Sequence, residues 1–411
     1  YAVTGVQTCA LPISEAVKAI EPSAIIVFGG PEVSFHSSDW LRLNPQVDII
    51  SANEGEGFID FLVNLLNKGD ALQDLNAYKG HILSFESCNI DSLPLGYTED
   101  ELKAFHILYY EASRGCPYRC SFCMSAEGVT LRYKNLEQVE KDLIRLTTYP
   151  NKIVKLIDRT FNVPEKRAKA LIELFTKYDN GTVTFHLEVS PTGLNDDFIQ
   201  LISSLRPGLV QFEVGIQSTN PETLQAIQRV MPDDVLSSVE KLCRLSNCHT
   251  HVDLIAGLPE DTYETFVIAV DSVLGICPDH LQLGMLKLLH GAPLTRAASK
   301  YGYKYDNKPP YGFHYHDKLS FGDKLRLECI EEGLERLYNV EKWPESLTSL
   351  NRCLPAPHQF YERVGGKIKE QALLGIKLSL EQVLHLSLEV LDFVDASLRP
   401  VFTTSVAIES F

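Results

Sequence analysis

The chain has 411 residues, 45% of them hydrophobic, enough to fill two or three cores rather than a single small one. Its 54 acidic against 38 basic side chains give a formal charge of −16, which repels a phosphate backbone on average and disfavours large nucleic acids as partners. No apolar run is long enough to span a bilayer, the opening lacks the segments of a signal peptide, and the ten cysteines fall in no disulfide pattern, so a reducing, cytoplasmic location is expected.

Tyr1 to Ile13 show neither alternation nor helical spacing and read as a foreign or mis-joined start (1–13), in which Cys9 has no role. In residues 14–80, Ala24-Ile-Ile-Val-Phe-Gly29-Gly30-Pro31 reads as a buried strand ending in two glycines. Val47–Ser51 reads as a second strand, and Glu54-Gly-Glu-Gly57 as the turn that opens a helix from Phe58 to Asn67. Strand, tight turn and helix in that order predict part of a doubly wound, Rossmann-like sheet. Gly29 and Gly30 would let a backbone lie close to a flat ligand. Only two clear strands fit ahead of residue 70, so the front half of such a domain is expected to be missing. Residues 81–104 read as a linker.

Next comes Ser113-Arg-Gly-Cys116-Pro-Tyr-Arg-Cys120-Ser-Phe-Cys123-Met124. Gly115 and Pro117 bend the chain so that three thiols converge on one metal centre. Three thiolates leave one iron of a four-iron cluster open, which points to chemistry at the cluster. A structural zinc site is the alternative, with Cys88, His81 or His106 as fourth ligand, although no second Cys-x-x-Cys pair is present.

Six strand-like runs follow: His106–Ala112, Ile153–Asp158, Thr182–Glu188, Leu209–Gly215, His249–Ile255 and His280–Leu286. Amphipathic helical patterns separate them, as in Leu136, Val139, Leu143 and Ile144. Six βα units predict parallel strands that close toward a barrel or open into a doubly wound sheet over residues 105–300. Chemistry in such folds collects at the C-terminal ends of the strands. The groups there are Asp158-Arg-Thr-Phe-Asn162, Glu188-Val-Ser190-Pro191, Glu213-Val-Gly215-Ile-Gln217-Ser218, the Gly257-Leu-Pro259-Glu260 turn, and Lys287 with His290-Gly291. Each has an ordinary reading as a cap or ion-pair partner. Residues 301–411 begin with an aromatic and histidine-rich stretch, Tyr301 to His316, which either lines a substrate pocket or packs a loop. Helical spacing over Lys324–Tyr338 and Leu380–Phe393 then predicts a mostly helical extension. Cys243 and Cys248 read as ordinary thiols.

The cysteine spacing, with Phe122 as the aromatic residue before the last cysteine, resembles the signature of the radical S-adenosylmethionine (SAM) enzymes. That resemblance implies a six-stranded partial (β/α)6 TIM-like barrel and a [4Fe–4S] cluster on Cys116, Cys120 and Cys123. It also implies SAM chelated to the open iron and cleaved to a 5′-deoxyadenosyl radical, and an external electron donor such as flavodoxin or ferredoxin. Glu213-x-Gly-x-Gln-Ser218 followed by Asp253-x-Ile-x-Gly257-Leu-Pro259 is similar to the Elp3/MiaB-like branch. By position this puts Phe122 and Gly257 by the adenine and makes Ser190, Gln217 and Arg229 candidates for the ribose and carboxylate. Asp158, Glu188 and Glu213 are further strand-end contacts for SAM. Arg229 is followed by Val230 and Met231, where the family often has a small residue and a histidine.

A Rossmann-like unit ahead of the barrel resembles the cobalamin-binding radical SAM proteins. It implies cobalamin in the intact parent, with Gly29, Gly30 and Glu54 as a remnant of its site; no Asp-x-His-x-x-Gly sequence offers a histidine to cobalt. Sulfur insertion is disfavoured, because only Cys9 and Cys88 precede the barrel where a second cluster needs three cysteines. The implied reaction is methylation or rearrangement of a small-molecule or lipid-like substrate. A radical SAM oxidoreductase without cobalamin, or a non-catalytic metal-binding fragment, is the alternative.

Overall fold

A computed structural model of the chain describes residues 4–69, 71–126, 130–373 and 375–410. At its centre lies a six-stranded parallel sheet of Ile107–Tyr110, Ile153–Leu156, Thr184–Val189, Val210–Gln217, His249–Ala256 and His280–Met285. The strands stand side by side in chain order, each hydrogen-bonded to the next, and the first and sixth do not pair. The result is an open, partial barrel. All six runs read from alternation are strands, because each carries apolar residues at every second position.

That alternation divides the sheet into two unlike faces. Val210, Phe212, Val214 and Ile216, with Thr250, Val252, Leu254 and Ala256, are buried. They pack beneath an outer layer of crossover helices, Leu136–Leu146, Glu165–Lys177, Asp196–Ser203, Val235–Cys243 and Tyr263–Gly275. Several of these helices start where the sequence supplies a cap: Asn135 accepts from the Gln138 amide, Asn195 from that of Phe198, and Thr262 forms a capping box with Thr265. The intervening residues, Gln211, Glu213, Gly215 and Gln217 with His249, His251 and Asp253, turn to the concave side and stay half-buried.

Ahead of the barrel, Val27–Gly29, Ile49–Ala52 and His81–Ser84 form a three-stranded parallel sheet, with the helix Glu56–Lys68 between the second and third strands. The third strand lies inside the stretch read as a linker, as does the helix Glu99–Ala104 with its Thr98 capping box. His81–Ser84 was not legible because it has four residues, none of them buried, and so shows no alternation. A helix spans Thr4–Ile20, where no helical spacing was read. Pro12 sits inside it and breaks the expected pattern. Tyr1–Val3 of that start lie outside the described residues.

The tail is helical as expected, with Phe321–Gly333 running on through a π-helical turn to Tyr338 and with Leu380–Val394. It also carries Pro344–Cys353, Pro357–Leu373 and Leu398–Glu409. Phe321–Gly333 and Pro357–Leu373 cross closely because glycines meet backbone there. A Cβ on Gly365 would overlap the Cys329 carbonyl, and one on Gly333 the Tyr361 carbonyl.

Candidate cluster and cofactor site

The three cysteines sit on a loop above the C-terminal ends of the barrel strands. Its base is a short antiparallel pairing of Ser113–Arg114 with Arg132–Tyr133. Gly115 has φ +101°, and its backbone runs so close to Thr130 and Leu131 that a side chain would be crowded at 3.0–3.1 Å. The Ser121 amide donates to the Ile227 carbonyl (2.9 Å), and the Leu294 amide to that of Ser121 (2.7 Å), fastening the middle of the loop to the barrel. Cys116 Sγ lies 3.4 Å from Thr160 Oγ1, Cys123 Sγ accepts from the Ser125 amide at 3.4 Å, and Cys120 Sγ accepts from an Arg229 guanidinium nitrogen at 3.4 Å. Burial pushes the Cys120 thiol up, and the Arg229 charge works in the opposite direction.

The donor set fits a four-iron cluster better than a single ion. Sulfurs around one zinc, each about 2.3 Å from it, stand less than about 4 Å apart. The three cysteine sulfurs do not gather within 4.8 Å of one another; among the described residues only Glu54, Glu56 and Cys88 do so. A cluster several ångströms across needs the wider set. Of the suggested fourth zinc ligands, His81 is on the front sheet, His106 directly precedes the first barrel strand, and Cys88 lies 3.9 Å from the Arg114 guanidinium at the base of the cysteine loop.

The candidate cofactor contacts fall into two groups. Four lie at the head of the barrel around the cysteine loop. Phe122 packs against the core from within the loop. The Ser190 backbone is held by the Asn162 side chain through bonds of 2.8 and 2.7 Å, while its hydroxyl lies 2.8 Å from that of Thr192. Gln217 adopts φ +71° and keeps a buried Oε1 without a partner. Arg229 bonds the Gly215 carbonyl and Cys120, and leaves its Nε unpaired. Unpaired polar atoms here are what a bound polar cofactor would satisfy.

The remaining contacts depart from that reading. Both oxygens of Asp158 are committed, to the Ala112 amide (2.8 Å) and the Ser113 hydroxyl (2.6 Å), so this carboxylate braces the foot of the cysteine loop. Burial pushes its pKa up to about 6. Glu213 accepts from His186 Nε2 (3.0 Å) and Lys155 (3.3 Å) on the concave wall, and the His186 bond holds its carboxyl down at about 2. Glu188 is beside Glu213 in the sheet register and makes no ion pair; burial and then the Glu213 charge push its carboxyl up. Gly257, with φ +88°, is covered by the Phe313 ring, and its carbonyl accepts from the Tyr303 hydroxyl at 2.7 Å. Phe313 belongs to a hairpin, Lys304–Tyr305 with Phe313–Tyr315, that the sequence reading did not find. That part of the aromatic stretch packs a loop. Its neighbour Tyr311, with His290, His36, Trp40, Arg42 and Lys308, instead lines a cleft of ≈ 790 Å³ between the barrel and the front unit.

In the front unit, Gly30 has φ +96° and open space where a Cβ would stand, and Gly29 lies against the Ser51 backbone. Glu54 is not free for a ligand. It is ion-paired to Arg132 and, at 3.1 Å, to Arg114; Arg114 also binds Glu56 (2.8 Å) and Glu111 (2.7 Å). These arginines form the base of the cysteine loop, so the acidic turn latches the front unit to it. The sequence shows the glycines and glutamates of this turn but not the arginines that face them.

Residues 110–273 match the radical SAM superfamily model. Residues 299–398 match the family described as a protein of unknown function, DUF4080. The chain therefore carries a radical SAM domain, the class that implies a [4Fe–4S] cluster and SAM. It is similar to an uncharacterized methyltransferase of Pyrococcus horikoshii, 27% identical over 281 residues that take in 64% of this chain and 60% of that protein. It is also similar to the cobalamin-dependent radical SAM methyltransferase TokK of Streptomyces tokunonensis, 25% identical over 325 residues, 69% of this chain and 46% of that protein. The chain thus spans roughly half the length of the curated relatives it matches. Among solved structures it shares the fold of the cobalamin-dependent SAM radical enzyme OxsB (TM-score 0.65, 14% identity, 99% of this chain and 74% of that one). The radical SAM methyltransferase TsrM from Kitasatospora setae has the same fold (TM-score 0.59, 14% identity, 89% and 84%).

Proposed function

We propose that the protein is a radical SAM enzyme in which Cys116, Cys120 and Cys123 hold the cluster, acting in methylation or rearrangement of a small molecule in association with cobalamin. The observation that carries this is the Arg229 guanidinium, which follows the short helix Pro221–Ala226 after the fourth barrel strand, reaches Cys120 Sγ at 3.4 Å and still has a free Nε. Bound there, the cluster supplies the electron that splits a carbon–sulfur bond of SAM into methionine and a 5′-deoxyadenosyl radical.

The chain's own residues bind and orient. Arg229 offers a cation to the methionine carboxylate, Gln217 and Ser190 offer polar groups to the ribose, and Phe122 offers an apolar surface to the adenine. Asp158 and Thr160 keep Cys116 in place. Likeness to the cobalamin-dependent methyltransferase TokK supports the cobalamin association, with Gly29 and Gly30 as the turn that approaches it. The commitment of Glu54 to Arg114 and Arg132 favours the second reading, a radical oxidoreductase without cobalamin.

The test is anaerobic reconstitution with iron and sulfide, reduction with dithionite, addition of SAM and chromatography for 5′-deoxyadenosine. Its release is the expected result. A chain that takes up zinc and assembles no cluster sinks the reading.

A further inference from the structure

The concave face of the barrel carries a polar band between isoleucines at its margins, Ile107, Ile153, Ile157 and Ile255, and its register shows how. Tyr109, Lys155, His186, Gln211 and His249 stand side by side in one cross-strand row. Two residues further along each strand, Glu188, Glu213, His251 and His280 form a second row. A third joins Gly215, Asp253 and Gln282, nearest the cluster loop. Because strand side chains alternate, the three rows share one face.

Contacts tie the lower two rows together. His186 and Lys155 neutralise Glu213, Gln211 Nε2 lies 2.8 Å from His251 Nε2, and the His251 and His280 rings stack at 4.6 Å. Burial, before any neighbouring charge, pushes His251 down to about 3 and lowers His280, so both imidazoles are neutral near pH 7.

What remains unpaired in the upper two rows is carboxylate. Among the described residues Glu188 and Asp253 have no ion-pair partner within 4 Å, although the Arg159 and Lys155 charges act on Glu188, and Asp253 Oδ1 is closed off from solvent with no hydrogen-bond partner there. Higher up the same wall, Gln217 Oε1 is a second sealed acceptor without a donor, and at its foot His249 Nδ1 is another unpaired polar atom. Burial and the charges of Glu213 and Glu188 push the Asp253 carboxyl far above its ordinary range, which a bound cation would reverse. The middle of this wall offers acceptors to a polar guest.

We infer that the concave face holds a small hydrophilic substrate bearing a protonated amine, received by Glu188 and Asp253 beneath the cluster loop. The inference rests on the radical SAM reading and names a charge for the substrate, which the sequence left open. The methionyl ammonium of SAM shares the chemistry of the expected ligand, so the test separates the two.

Four probes serve: putrescine, butane-1,4-diol and succinate, which share a four-carbon skeleton, and 1-decanol. Each is titrated by saturation-transfer NMR into the cluster-loaded chain at neutral pH, without and with saturating SAM. Putrescine is expected to bind at least about tenfold more tightly than the diol, with succinate and decanol not bound, and to stay bound when SAM is present. Asp253→Asn with Glu188→Gln is expected to remove that preference; Glu188→Gln alone serves if the double variant does not fold. Equal binding of the diol, preferred binding of decanol, displacement of putrescine by SAM, or an unchanged preference in the variants each overturns the inference. Binding is read without turnover, so absent 5′-deoxyadenosine would count against the enzyme reading alone.

Discussion

At the scale of single residues, the cysteines and Asp158 make separable claims. Alanine at Cys116, Cys120 or Cys123 is expected to abolish cluster assembly, read as iron and sulfide per chain after reconstitution. Cys243 is a partly buried thiol that desolvation pushes up to about 12, far from any thiolate role, so Cys243→Ala should load iron normally. Normal loading in the first three variants, or loss in the fourth, would mean that the wrong thiols had been chosen.

Asp158 has a pH signature. Its folded pKa is raised to about 6 by burial, so the native state holds the proton more tightly than the unfolded chain. Its contribution is therefore full below the ordinary value near 3.8 and is lost as pH rises through about 6. Asp158→Asn should remove this step, on the order of 3 kcal/mol, so that urea midpoints fall less between about pH 4 and pH 6 than in the parent. Asp158→Ala should instead cost about 1–3 kcal/mol at any pH, because it leaves the Ala112 amide buried without an acceptor.

At the scale of elements, close approach and latching can be tested. Gly365→Ala forces the helix Pro357–Leu373 away from the Cys329 carbonyl. A loss of about 1–3 kcal/mol is expected, seen as a lower melting temperature; an unchanged one would mean that the crossing is looser than described. The Glu54 latch predicts an effect at a distance. Glu54→Ala leaves Arg132 and Arg114 short of a partner at the base of the cysteine loop, so iron loading should fall while the barrel stays folded by circular dichroism. Rescue by Glu54→Asp would tie that effect to the ion pair.

The six barrel strands were legible because one side of each meets helices and the other does not, which leaves a period of two in the sequence. The same period concealed the height of each residue in the wall. Glu188 and Glu213 were read as strand-end contacts, yet register sets them in the row below the one holding Gly215 and Asp253. Short elements were missed for the reason short strands always are: His81–Ser84 and the hairpin around Phe313 contain too few residues to show alternation. Asp158 and Glu54 were visible as carboxylates, but their partners Ala112, Ser113, Arg114 and Arg132 come from other segments. No local pattern announces such pairings.

At the scale of the whole molecule, the front unit is latched at the base of the cysteine loop, and the helical tail packs on the last barrel strand and the helix Tyr263–Gly275. The front unit supplies three short parallel strands, and a parallel α/β sheet grips a nucleotide-like group mainly through the turns at its strand ends. With Glu54 already paired, hydroxocobalamin is expected to elute largely free of this chain in gel filtration; a stoichiometric complex would show that Gly29, Gly30 and the neighbouring cleft suffice.

The concave wall has a calorimetric consequence. A chamber faced with imidazole, amide and carboxylate groups is hydrated before any guest arrives, and a polar guest trades those waters for bonds of similar kind. Little apolar area is covered in the exchange. The heat capacity of the system should then change only slightly on binding, with the free energy carried by enthalpy, whereas a greasy guest in a greasy tunnel would mark itself by a large negative change.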